Sequence, residues 1–170
     1  MTIQNEHSRL AQTFVRMTRW PLGRWLFGRV ACWRAPYFGT IAPRFHVVER
    51  DRCEVSIRDR RRVHNHLGTV HAIALCNLAE LAGGVMMEAG TPRGMRWIPK
   101  GMTVEYLKKA KGAVHAVATP ARAIEVRSEG YEVPVDVEVR DPEGTSVFRA
   151  KIAMWVSPRR GKSAPDAGGG

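Results

Sequence analysis

Val70-His71-Ala72-Ile73-Ala74-Leu75-Cys76-Asn77-Leu78-Ala79-Glu80-Leu81-Ala82-Gly83-Gly84-Val85-Met86-Met87-Glu88-Ala89 is the stretch whose reading decides the fold. It is apolar or small nearly all round and too long for a strand. A helix that is apolar on every side is a buried helix. Gly90, Pro92 and Gly94 end it.

Outward from this helix the period of the sequence changes from helical to two. Upstream, Phe45 and Val47 form one run, and Cys53, Val55 and Ile57 alternate with Glu54, Ser56 and Arg58 in the next. Downstream, Met102, Val104 and Tyr106 alternate, and Val114 to Val126 holds an extended segment around Pro120. Tyr131, Val133, Val135, Val137 and Val139 share one face of a further strand, with Glu132, Asp136, Glu138 and Arg140 on the other. Asp141-Pro142-Glu143-Gly144 is a turn, with Pro at its first central position and a glycine able to take positive φ. Phe148, Ala150, Ile152, Met154 and Val156 then return as the partner strand. A buried helix preceded by two strands and followed by three or four antiparallel ones requires a sheet that curls around it. The fold class is therefore α+β.

At the N-terminus, Leu10, Phe14 and Met17, then Leu22, Leu26, Val30 and Trp33, keep helical spacing on either side of Pro21. They predict two short amphipathic helices with these apolar positions packed on the sheet and the arginines outward. Residues 1–43 form this helical segment and its connector, residues 44–157 the main domain, and residues 158–170 a tail whose composition predicts disorder. A chain of 170 residues is one fold unit.

The net charge of +11 is concentrated at the front, where residues 1–70 hold 13 Lys plus Arg against 5 acids. Such a surface attracts phosphate-bearing cofactors, anionic membranes or nucleic acid, and charge by itself does not choose among them. Arg16, Arg19, Arg24 and Arg29 interleave with Trp20, Trp25 and Trp33, a pattern that leaves a peripheral membrane contact open and ranks nucleic acid below it. The same arginines interrupt any signal-peptide stretch. No run reads as a membrane span. Cys32, Cys53 and Cys76 are an odd count without metal-ligand spacing, which fits free thiols in a reducing cytoplasm. His64, His66 and His71 lack a Cys or second carboxylate at ligand spacing, so no metal site is expected.

Glu80 is the anomaly. An ionised carboxylate buried without partners costs several kcal/mol, roughly, so it is either paired or chemically active. Asn77 and Glu88 extend it into a narrow polar stripe. Composition alone favours a structural pair or an interface position. The residues before it favour chemistry: Asn65, Gly68 and His71 precede the helix at N-x-x-G-x-x-H spacing, and Glu80 follows His71 by nine residues. The start of a helix leaves backbone amides unsatisfied, so those of His71 and Ala72 are placed to bind a developing oxyanion while a carboxylate attacks or activates water.

These residues, with Val104-Glu105-Tyr106-Leu107-Lys108-Lys109-Ala110-Lys111-Gly112 downstream, resemble the hotdog-fold acyl-CoA thioesterases of the phenylacetate-pathway type, in an uncharacterised branch. The resemblance implies a curved antiparallel sheet around one central helix, paired subunits (a dimer or a dimer of dimers) and a site at the subunit interface. It implies no metal or redox cofactor. Carried over, it makes Glu80 the general base or nucleophile, Asn65 the residue that orients water or thioester, His71 a shaper of the oxyanion site and Ala72 the amide donor. Ala72 stands where such enzymes usually have glycine. Gly68 and Thr103 would contact substrate, Thr103 as the hydroxyl candidate after the helix. Lys100, Lys108 and Lys109 are candidates for coenzyme A phosphates. The alternative function is a hotdog protein that binds acyl-CoA or lipid without turnover.

Overall fold

The structure is a computed structural model that describes residues 9–159. Two helices, α1 (Arg9–Thr18) and α2 (Gly23–Arg34), precede a 3-10 turn at Pro36–Thr40. Strands β1 (Arg44–Val48) and β2 (Cys53–Ile57) lead to the central helix α3 (Ala72–Gly90). Four strands follow: β3 (Met95–Tyr106), β4 (Val114–Pro120), β5 (Tyr131–Arg140) and β6 (Ser146–Pro158). They form one six-stranded sheet in the order β1-β2-β4-β5-β6-β3, every neighbour antiparallel. This is the α+β architecture the alternation requires, with two strands before the helix and four after it.

The sheet wraps α3 because β2, β4 and β5 each bury alternate residues on one side. In β5, Tyr131, Val133, Val135, Val137 and Val139 are buried and their neighbours are not. The outer face carries the charges: Arg140 and Arg149 meet Glu138, and Lys151 meets Asp136. Bulges at Phe45/Val47 in β1 and Pro99/Gly101 in β3 add curvature. The helix approaches closely at Gly83, where an added Cβ would stand 2.9 Å from the Ile152 methyl. At its last turn, a Cβ on Gly90 would lie 2.2 Å from the Arg50 carbonyl oxygen. With 19 residues, α3 is long and apolar enough to cross a membrane, against the expectation that no run reads as a span. Here the sheet supplies its apolar surroundings instead.

Three expectations need correction. The stripe Leu22, Leu26, Val30 and Trp33 faces outward, Leu22 being 70% and Trp33 81% exposed, while the other side of α2 packs inward. Phe27 fills that inner side, edge-on to both Phe14 and Phe45, and Gly23 and Gly28 let the helix sit against the Met17 and Pro43 carbonyls. The strand after α3 starts at Met95, well before the alternation at Met102, because the bulge at Lys100 hides the period. At the other end, β6 runs through Pro158 and the Arg159 side chain donates to the Met95 carbonyl, so these two residues are ordered parts of the sheet edge. The rest of the tail reading lies outside the described residues.

Candidate active site

The segment before α3 is shaped by one side chain. Asn65 Oδ1 accepts the amides of Leu67 (2.9 Å) and Thr69 (3.2 Å), and its Nδ2 donates to the Thr69 hydroxyl. Gly68 completes the loop at φ +72, where an added Cβ would meet nothing; its constraint is backbone conformation alone. The Asn65 amide is therefore committed to loop geometry, and Asn65 positions the helix start rather than reaching into it. Upstream, Asp59 accepts from His64 and from the Gly112 amide at 2.7 Å, tying this segment to the entry of β4. The His64 hydrogen bond, ahead of that from Gly112, holds the Asp59 carboxyl below the usual aspartate range.

His71 is the N-cap of α3. Its Nδ1 accepts the Ile73 amide at 3.0 Å, which places the ring proton of the neutral form on Nε2. The His71 amide donates to the Val63 carbonyl at 2.8 Å, so of the two amides expected to face an oxyanion only that of Ala72 has no acceptor among the described residues. A cavity of about 170 Å³ lies beside this helix start, lined in part by His71, Thr40 and Asn77. Asn77 is buried, donates to the Thr40 hydroxyl at 3.2 Å, and its Oδ1 has no partner among the described residues.

The exposed stripe of α3 runs through Ile73, Glu80 and Glu88, with the half-buried Cys76 and Gly84 between them. Asn77 belongs to the buried side, so the polar stripe read from sequence is one residue out of phase there. Glu80 is exposed and has no hydrogen bond or ion pair among the described residues. Its company on the stripe comes from β3, which runs back along α3. Cys76 Sγ and Tyr106 Oη are 3.2 Å apart at one end, and Trp97 Nε1 donates to Glu88 at 3.1 Å at the other. Neither contact was visible in the sequence, since each joins a helix residue to a strand that starts where the alternation fails.

The remaining candidates do not converge within one chain. Thr103 pairs with Lys151, whose side chain meets Asp136 on the outer face of the sheet, so Thr103 is turned away from α3. Lys100 lies over the Trp155 ring at 4.2 Å. Lys108 and Lys109 are exposed beyond the end of β3 nearest the start of α3. Ala72 and Glu80 are themselves eight residues apart on one helix, about 12 Å along its axis. One carbonyl group cannot meet both.

The match to the family described as a domain of unknown function, DUF4442, spans residues 23–156. Among solved structures, genomics APC5556 is 42% identical, with a TM-score of 0.75 over 88% of this chain and 99% of its own. PA5026 of Pseudomonas aeruginosa, described as a probable thioesterase, is 21% identical at TM-score 0.70 over 79% and 95% of the two chains. The thioesterase HI1161 of Haemophilus influenzae is 16% identical at TM-score 0.63 over 75% and 87%. The comparison with curated proteins finds no match. The protein belongs to the DUF4442 family and has the hotdog fold of its thioesterase structural neighbours.

Proposed function

We propose that the protein hydrolyses acyl-CoA thioesters as a symmetric homo-oligomer, with Glu80 as the reacting carboxylate. The observation that carries this reading is the Glu80 carboxylate, exposed and without a partner among the described residues, on a core helix that is mostly apolar, beside the open edge strand of the sheet. The roughly 12 Å between Ala72 and Glu80 is resolved by two-fold pairing. Antiparallel α3 helices bring the Ala72 amide of one chain to Glu80 of the partner subunit. In the general-base form, Glu80 takes a proton from water as its oxygen attacks the thioester carbonyl carbon. The oxyanion forms against the Ala72 amide, then collapses, breaking the C–S bond, and the departing thiolate takes the proton back. In the nucleophile form Glu80 itself attacks, and the C–S bond breaks to release the thiolate and leave an anhydride. Water then cleaves the anhydride, freeing the Glu80 carboxylate and the acyl carboxylate while the thiolate takes up a proton.

Free-thiol release from a panel of acyl-CoAs, compared between wild type, Glu80→Gln and Glu80→Ala, tests the assignment. A loss of about 10²- to 10⁴-fold is expected in both variants. Wild-type rates in both would remove Glu80 from the chemistry.

The second reading is acyl-CoA or lipid binding without turnover, favoured by the methyl group at Ala72 and by Thr103 on the far face. Calorimetric binding with no thiol released would select it.

The outward face of α2 belongs to the same proposal as a peripheral membrane contact. Trp25, Leu26 and Trp33 are exposed there, Trp20 and Leu22 are exposed in the turn before it, and residues 9–35 hold six arginines and no acid. A second copy seated on this face would oppose arginine to arginine, whereas an anionic bilayer complements both its charge and its aliphatic side chains. Cys32, Cys53 and Cys76 are free thiols, which agrees with a cytoplasmic setting.

A further inference from the structure

A cavity of about 820 Å³ lies at the opposite end of α3 from His71, and five arginines line it: Arg9, Arg50, Arg93, Arg96 and Arg159. The one carboxylate in its wall is Glu88, which accepts from Trp97. None of the five arginines forms an ion pair among the described residues. A helix C-terminus attracts cations, but its dipole amounts to about half a negative charge. Half a charge and one glutamate leave most of five guanidiniums uncompensated. Convergence of that many like charges on a concave site is the arrangement that binds a polyanion, and guanidinium forks favour phosphate.

The cavity also has a place relative to Glu80. The exposed stripe of α3 leads from Glu80 through Gly84 to Glu88 on the cavity wall, eight residues or about 12 Å. At Gly84 the Trp97 ring packs against the stripe, where an added Cβ would stand 3.2 Å from it, so a ligand following the stripe runs along the indole. The tight fit of Gly90 on Arg50 fixes the cavity rim to the end of the helix.

The geometry points to this arginine cavity as the site for a nucleoside bearing a diphosphate and a further phosphate, the nucleotide end of a coenzyme A thioester. The inference rests on the thioesterase reading for its substrate, and makes the chain that supplies Glu80 also the one that grips the nucleotide. The pantetheine arm, two amide-linked segments between thioester and diphosphate, spans the two helical turns. Lys108 and Lys109 lie at the far end of β3 and have no part in this grip.

The test uses the full chain and the double variant Arg50→Gln/Arg93→Gln, both exposed positions, with the binding of adenosine 3′,5′-bisphosphate measured by calorimetry. Binding weakened at least tenfold in the variant is expected. In parallel, the ratio of kcat/KM for acyl-CoA to that for the matching acyl-pantetheine falls at least tenfold. Hydrolysis with no preference for CoA over pantetheine overturns the nucleotide site and leaves the thioesterase reading standing. Arginine-dependent nucleotide binding in a protein that hydrolyses no thioester does the reverse. Binding of phosphatidic acid vesicles that needs Arg50 and Arg93, without nucleotide binding, assigns the cavity to a lipid headgroup and also overturns the proposal.

Discussion

Helices α2 and α3 treat their apolar residues in opposite ways. In α3 the large side chains Leu75, Leu78, Leu81 and Met86 go inward and the solvent-facing stripe holds Glu80 and Glu88. In α2 the aliphatic row Leu26 and Val30, continued from Leu22 at its N-cap, goes outward, and the inner face is built from Gly23, Phe27 and Gly28. Periodicity reports that a helix has two faces. It does not report which one meets protein, because a face of glycines and one aromatic ring buries well by close backbone approach.

The largest effect that tests this contrast is at Phe27. Phe27→Ala leaves a hole between Phe14 and Phe45 and is expected to cost about 3–5 kcal/mol in urea denaturation. Leu26→Ser/Trp33→Ser is expected to change stability by less than about 1 kcal/mol. The same pair is expected to abolish co-sedimentation with anionic vesicles. Equal destabilisation by the two changes would break the comparison and return the aliphatic row to the interior.

A smaller effect belongs to the start of α3. His71→Ala removes the Nδ1 cap on Ile73 and should cost about 1 kcal/mol, which His71→Asn largely restores. A thermal melt reads both. The smallest effect concerns pH. The folded Asp59 carboxyl lies below its ordinary value through its His64 and Gly112 hydrogen bonds. Its contribution is therefore complete above the unfolded aspartate value of about 3.9 and is lost as pH falls through the folded one. Urea denaturation from pH 7 to pH 3 should show a shallower acid-side decline in Asp59→Asn; an unchanged slope would remove Asp59 from the anchoring of the segment before α3.

The parts of the fold legible in sequence are those whose signal is local. The β5–β6 hairpin follows from strict alternation and from Asp141 to Gly144, where Gly144 sits at φ +81 and Asp141 accepts the Glu143 and Thr145 amides. The central helix is legible because a run of about twenty mostly apolar or small residues is too long for a strand and must be buried as a helix. The first half of β3 was hidden because Pro99, Lys100 and Gly101 break the period at a bulge. At the site, the spacing of Asn65, Gly68 and His71 located the helix start correctly. The duty of the Asn65 side chain was not legible, because its partners, Leu67 and Thr69, are set by the loop it creates. Glu80 was expected among apolar neighbours and lies on the exposed stripe instead, a shift of one residue along the helix relative to Asn77.

The contact at Gly90 has a consequence for heredity as well as for shape. A Cβ there would strike the Arg50 carbonyl at 2.2 Å and the Ile124 methyl at 2.8 Å, and backbone cannot give way as a side-chain tip can. In a saturation library selected for folded chains, position 90 should tolerate one letter of the twenty. The seam between α3 and the β1–β2 turn is thus written in a residue whose whole message is the absence of a side chain.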